Sequence, residues 1–506
     1  MSQDLRSKTV KAIGYLGLGG ALGKVVSLGV TLVMARLLSP EDYGLMAMAM
    51  VLVGFVGFFN EVGIGAALVQ KTTLTPTEIN GCFSFSILAS VLLFAVTSLL
   101  SFPAAAFFDN AQLQPMIVVL AITFILGAIG TVPMALLRRE MRFKAIAGIT
   151  ITGVLVQSGL ALLLAWLGHA AWSLVWSFVA STLFQSILTF YLSGWRPSSL
   201  RGLRAAFGLV RYGLQVTMTR VFWYLYNNAD KVVIGRMLGD RPLGIYDMAY
   251  SLATLPTSQI TSLATNVSSP LFARLQHDLV QLQAYILHFT RGVAYVTYPA
   301  LIGMMMCSHE LIAVLLGDKW TAMLVPFGAL CLMGLVKSID PLLSQVLIAT
   351  GHARQLTGYT LLCGITMTAA IIVGASVDGL HGVSIAWVVV YPLLSIRLLY
   401  LVSRVTGLPM RDYYRSLLPV ISATAAMALV IFGLRAGLVQ LGTPVLLLLI
   451  CEVAIGAAVY IGWIIGFDRN GLGQIRQVLI DLGISEQRLA RWPFNRSVIP
   501  VIEAKS

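Results

Sequence analysis

The chain has 506 residues, of which 58% are hydrophobic and only 11% charged, with a mean hydropathy of +0.86. A soluble domain carries about 25% charged residues, so this composition excludes a water-soluble globular protein and names lipid as the solvent. A net charge of +13 and a pI of about 9.6 do not signal nucleic acid, because the basic residues fall between apolar runs and form no basic patch with interleaved aromatics.

A spanning helix needs about 20 largely apolar residues. Runs of that kind predict an all-α, polytopic membrane protein with fourteen spans, over 12–35, 43–66, 79–102, 115–137, 145–168, 170–193, 208–235, 244–270, 289–315, 322–349, 355–377, 380–403, 416–439 and 443–467. The first run carries Lys24 at its middle and lacks a short apolar core followed by a small-residue cleavage site. It reads as a retained membrane helix, not a cleaved signal. The seventh, eighth and tenth runs contain charges.

With the N-terminus inside, 24 of the 34 Lys and Arg lie on the cytoplasmic side, as Arg138, Arg139, Arg142 and Lys144 do after the fourth span. Arg36, Arg236, Arg241, Lys319 and Arg435 lie outside. This asymmetry is the positive-inside pattern. It puts both termini in the cytoplasm of a multi-pass inner-membrane protein, with 468–506 as a basic cytoplasmic tail.

The chain also repeats itself. At a constant offset of 200, Val33, Arg36, Leu38, Gly44, Met48 and Ala49 match Val233, Arg236, Leu238, Gly244, Met248 and Ala249. Each copy is the end of one helix, a tight turn and the start of the next. The first and seventh helices start on the same side, so the repeat is parallel. It predicts two six-helix lobes, 1–200 and 201–410, about an axis along the membrane normal, with the last two helices (411–467) as an appendage.

Charges at mid-span depth are costly, about 2.5–3.5 kcal/mol each on insertion scales, and they face a wet cavity or a partner. Lys24, Arg220 and Lys337 lie near the middles of their helices, and Lys231 near the outer end of the seventh. Offset by 200, Lys24 maps onto Tyr224, one helical turn from Arg220. One reading is a cationic cavity between the lobes that holds an anionic headgroup, since Lys and Arg suit phosphate. The other is local pairing, Lys337 with Asp340 and Lys231 with Asp230. Arg397 is expected to snorkel to the interface. Glu61, Asp230 and Asp340 are the acids available to carry a proton or sodium ion that drives transport, or else to form interfacial salt bridges.

Cys82, Cys307, Cys331, Cys363 and Cys451 are scattered in apolar runs, with no zinc or redox spacing, and the six histidines are scattered too. No metal, cofactor or catalytic set is expected. The Gly19-x-x-x-Gly23 spacing suits close helix packing. Gly20-Ala-Leu-Gly23-Lys24-Val25 grazes a P-loop ending but lacks the first Gly, the Ser or Thr and a preceding strand, so nucleotide binding is excluded.

Five stretches, in order, resemble the polysaccharide-transporter (flippase) branch of the multidrug/oligosaccharidyl-lipid/polysaccharide exporter superfamily, near its colanic-acid-type exporters. They are Met34-Ala-Arg-Leu-Leu-Ser-Pro-Glu-Asp-Tyr-Gly44, Glu61-Val-Gly-Ile-Gly-Ala-Ala-Leu-Val-Gln70, Arg138-Arg-Glu-Met-Arg-Phe-Lys144, Leu238-Gly-Asp-Arg-Pro-Leu-Gly-Ile-Tyr-Asp-Met-Ala-Tyr250 and Gly317-Asp-Lys-Trp320. The resemblance implies a MATE-like pair of six-helix lobes, alternating access, and export of undecaprenyl-pyrophosphate-linked oligosaccharide, beside polymerase and glycosyltransferase machinery. A lipid II flippase and a cation-coupled drug antiporter of the same superfamily are the alternatives. The antiporter is expected to line its cavity with acids, whereas the mid-span charges here are mainly basic. No family motif assigns the intramembrane bases, which rest on the residue reading alone.

Overall fold

Helix starts and stops follow local sequence. Ser39, Pro40 and Asp42 make a capping box: the Ser39 N–H donates to the Asp42 carboxylate at 2.8 Å, the Asp42 N–H donates to the Ser39 hydroxyl at 3.4 Å, and Pro40 takes the first helical position. Thr75, Pro76 and Glu78 repeat the device. Stops fall at left-handed residues such as Asp109, Gly194 and Gly407.

The computed structural model describes residues 23–24, 26–61, 64–71, 73–198, 224 and 227–468, and among them it is helical with no strand. The helices are α1 (Val26–Leu37), α2 (Pro40–Glu61), α3 (Ile64–Gln70), α4 (Pro76–Phe108), α5 (Leu113–Arg139), α6 (Phe143–Trp166), α7 (Ala171–Ser193) and α8 (227–238). They continue with α9 (Asp240–Ala253), α10 (Leu255–Arg274), α11 (Leu279–Met306), α12 (Ser308–Leu315), a 3-10 turn (Asp318–Met323), α13 (Leu324–Ala349), α14 (Ala353–Thr406), α15 (Met410–Gln440) and α16 (Val445–Phe467).

Nine of the described helices are long and apolar enough to cross a membrane. One of them, α14, is two helices joined at Asp378 and Gly379, where φ and ψ leave the helical region, at the boundary read between the eleventh and twelfth spans. The ninth expected run divides: α11 breaks at Cys307 and α12 turns away by 75°. The eighth, 244–270, divides at Thr254 between α9 and α10. The fourteen spans read from the sequence extend beyond what these residues describe, since 12–35 and 208–235 are covered only in part.

Large apolar side chains face outward from these helices, among them Leu99, Phe102, Val373, Val377, Leu429 and Phe432. Apolar faces of that extent are untenable in water, and lipid covers them. Hydroxyls bond back to the preceding turn, as Ser84 does to the Asn80 carbonyl and Ser86 to Cys82, so no solvent is needed to satisfy them. The chain is a multi-pass membrane protein.

The described chain divides into two compact units, Met1–Asp247 and Met248–Ser506. In the first, α5 is central and packs on α2, α3, α4 and α7, while α6 packs on α7. In the second, α13 packs on α10, α11 and α14, and the α15–α16 pair docks on α11. Pro299 explains that docking. It has no N–H to give the Tyr295 carbonyl one turn back, and Tyr460 on α16 donates its hydroxyl to that carbonyl at 2.8 Å.

The two arms of α14 touch backbone to backbone. A Cβ on Gly382 would lie 2.0 Å from the Gly374 carbonyl oxygen, and one on Gly374 would lie 2.4 Å from the Gly382 oxygen. Gly382→Val is therefore expected to spread the hairpin and cost about 3 kcal/mol, the upper range for overpacking. A lowered thermal midpoint of the purified protein, with less of it in the membrane fraction, checks this.

The repeat is visible in three dimensions within the first unit. Each copy is helix, a break of one or two residues (38–39 and 239), then helix from Pro40 or Asp240. The copies touch at their equivalent positions. A Cβ on Gly44 would lie 1.9 Å from the Asp240 carbonyl oxygen, and one on Gly244 would lie 1.8 Å from the Pro40 oxygen. Arg241 donates to Glu41 at 2.7 Å, across a separation of 200 residues. Equivalent residues can meet each other only near a local two-fold axis. Reciprocity of this kind is what a duplicated segment produces and what a chance match of composition does not.

Candidate functional site

The mid-span charges of the second unit centre on α13. Lys337 and Asp340 are three residues apart and so share a face, but they do not pair with each other. The Lys337 ammonium donates to the Tyr250 hydroxyl at 3.0 Å. It also lies over two rings, 5.2 Å from the Tyr250 centroid and 5.0 Å from that of Trp387. Cation–π contacts of this kind contribute about 0.5–2 kcal/mol each, more where water is excluded. They offset part of the cost of holding an ammonium at this depth.

Asp340 is buried, and its two oxygens accept from Tyr391 at 3.0 Å and Ser395 at 2.6 Å. Trp387, Tyr391 and Ser395 are spaced by four along the second arm of α14, one face of one helix. The Trp387 and Tyr391 rings lie 5.6 Å apart. Pro341 follows Asp340 and has no N–H for the Lys337 carbonyl, so the helix loosens a backbone bond at the lysine itself. The Lys337 charge acts on Asp340 through space. The result is a rigid cradle in which one of the three ammonium N–H groups goes to Tyr250. The arrangement can offer donors to an anionic oxygen. It has no nucleophile, base and orienting group in series, and no metal-ligand group is found among the described residues.

In the first unit, Lys231 forms an ion pair with Asp247 at 2.5 Å. Asp230 accepts from the Tyr246 hydroxyl at 2.6 Å and from the Lys231 backbone N–H at 2.8 Å. Lys231 therefore has an ion-pair partner on α9, Asp247, that adjacency to Asp230 does not indicate. Lys24 is exposed. Tyr224, its counterpart in the repeat, inserts its hydroxyl against α2, donating to the Met50 and Val51 carbonyls at 3.0 and 3.1 Å. Arg220 and the Glu61 side chain lie outside the described residues. Lys337 and Asp340 thus share one face of α13, and Asp230 and Lys231 lie side by side on α8.

Residue reading missed the cradle itself. Tyr250 closes one of the motif stretches, and the Trp387, Tyr391, Ser395 spacing of four was a signal in plain sight. Two further buried groups escaped as well. Arg291 bonds Asp468 at 2.5 Å at the end of the last span, and Arg435 bonds Glu310 at 3.0 Å.

A family model described as "Polysaccharide biosynthesis protein" matches residues 33–325. The teichuronic acid biosynthesis protein TuaB of Bacillus subtilis is 27% identical over 79% of this chain and 83% of its own length. The succinoglycan biosynthesis transport protein ExoT of Rhizobium meliloti is 24% identical over 94% of this chain and 96% of its own. Among solved structures, the lipid II flippase MurJ in an inward closed conformation superposes with a TM-score of 0.71 at 14% identity. It covers 90% of this chain and 99% of that one. That likeness establishes the fold, an all-α membrane arrangement.

Proposed function

We propose, since this chain belongs to the polysaccharide biosynthesis protein family, that it flips undecaprenyl-pyrophosphate-linked oligosaccharide repeat units across the bacterial inner membrane by alternating access. It performs no chemical reaction on them. The observation that carries this reading is Lys337, an ammonium kept inside an apolar helix whose hydrogen bond goes to the Tyr250 hydroxyl and which lies over the Trp387 ring. A pyrophosphate would accept hydrogen bonds from it, and the polyprenyl tail would stay in lipid.

In this reading both termini are cytoplasmic, the repeat divides the chain into two six-helix lobes, and Lys24 and Arg220 assist Lys337. Lys231 contributes only if its pair with Asp247 opens. Asp340, Asp230 and Glu61 are the acids through which a proton or sodium gradient would drive the cycle. The gene products that build and polymerise the repeat unit are the expected partners.

The MurJ-like fold favours one second reading, lipid II itself as cargo, because both cargoes present the same polyprenyl pyrophosphate. Deleting the gene separates the two. Loss of surface polysaccharide, with lipid-linked repeat units accumulating on the inner leaflet and growth intact, supports the first reading. Arrested peptidoglycan synthesis supports the second. If neither lipid accumulates, flipping is wrong.

A further inference from the structure

We infer that Glu310 and Glu452, buried where α12, α15 and α16 meet, bind one proton between them beside the part-exposed Arg435. Glu452 is wholly buried and Glu310 is 2% exposed. Arg435 donates to Glu310 Oε1 at 3.0 Å. Glu310 Oε2 and both Glu452 oxygens are buried with no N–H or O–H donor; the weak S–H donor of Cys307 is the polar group beside Glu452. The Glu310 charge acts on Glu452 through space, and the Cys307 thiol lies beside Glu452.

The charges do not balance. Two carboxylates and one guanidinium leave one net negative charge, and buried like charges cannot both persist. One proton from water removes the excess. It converts one acid into an O–H donor and gives an orphaned oxygen something to accept. The proton belongs to the pair, not to either residue.

The first turn of α13, which packs on α12, carries no charge. On α12, His309 is half-exposed, with Nδ1 3.9 Å from Glu310. The 3-10 turn against α12 carries Asp318, which is exposed, and Lys319. The last turn of α11 is Gly303, Met304, Met305 and Met306 and carries no charge. No third metal ligand joins the pair among the described residues. By contrast, Arg291 and Asp468 balance one to one, and Asp230 has a donor for each oxygen. At Glu310 and Glu452 an unbalanced charge coincides with three buried carboxylate oxygens that lack an N–H or O–H donor. Losing the proton would leave a charge inside the joint that holds α16 on α12, so the docking of the C-terminal helix pair depends on protonation.

Infrared spectra of the purified full chain at neutral pH test this, read at the carbonyl stretch of protonated carboxylic acids. The wild-type band is expected to lose one acid's intensity in Glu452→Gln. It should lose the same in Glu310→Gln, because Arg435 then balances Glu452 alone. Arg435→Gln should add one further acid, and His309→Gln should change nothing. Unchanged intensity in any of the first three variants that folds, or loss in His309→Gln, overturns the proposal. The readout needs no substrate, so it stands or falls apart from the headgroup reading.

Discussion

Gly244→Val is expected to remove exported polymer from a strain that depends on this chain, and Gly244→Ala to reduce it sharply. A single methyl at this position would sit 1.8 Å from the Pro40 carbonyl oxygen and meet the Gly44 nitrogen as well. Both obstacles are backbone, so no rotamer change relieves them. The starts of α2 and α9 must separate, taking with them the Arg241–Glu41 pair and the bond from Asn110 to Asp240. Overpacking of this kind costs about 1–3 kcal/mol for small insertions. Reciprocity makes a sharper claim. Gly44→Ala should reproduce the effect, and the double variant should cost less than the two singles together, because once the helices part the second methyl has room.

In the proposed orientation these helix ends lie on the outer side. Opening them should expose Leu38 and Leu243, which are buried at 3% and 0%. Leu38→Cys labelling by a membrane-impermeant maleimide in whole cells checks this. Labelling in the Gly244→Ala background but not in the parent is the expected result. Equal labelling in both would mean that the glycine contact does not close this end.

Much of this architecture could be read from the sequence because lipid imposes a coarse rule. Apolar length defines spans, and Lys and Arg mark one side of the loops. The offset-200 repeat was legible because Gly44 and Gly244 are constrained by backbone contact, which leaves no choice of residue. What escaped was the path of the chain inside a span. The 75° break at Cys307 falls just before Ser308, His309 and Glu310, a short polar step that a span-length hydropathy window averages away. The partners of buried charges escaped for a related reason. Adjacency pointed Lys337 at Asp340 and Lys231 at Asp230, but helix geometry gives each base a neighbour on another element, Tyr250 and Asp247. Such partners are set by helix packing, which no spacing rule within one helix encodes.

Lys337→Ala should abolish export while leaving the protein at wild-type abundance, and the reason for both lies in the cradle. Asp340 is held by Tyr391 and Ser395, so deleting the ammonium does not orphan the carboxylate. Removing a desolvated charge costs the fold little where its neighbours keep their own partners. The cargo, in contrast, loses a charge-assisted hydrogen bond worth about 1.5–3 kcal/mol, or roughly 10- to 100-fold in affinity. Lys337→Arg should retain part of the activity, because a guanidinium also stacks on Trp387, though its planar fork differs from a point charge. Tyr250→Phe keeps the ring face and removes the hydroxyl that orients the ammonium. It should weaken binding of a short polyprenyl pyrophosphate in proteoliposomes by less than Lys337→Ala does. Full export by Lys337→Ala at wild-type abundance would remove the headgroup from this cradle. The lysine would then be a packing residue whose charge is answered by two aromatic faces and a phenol, and selectivity would have to reside elsewhere along the path.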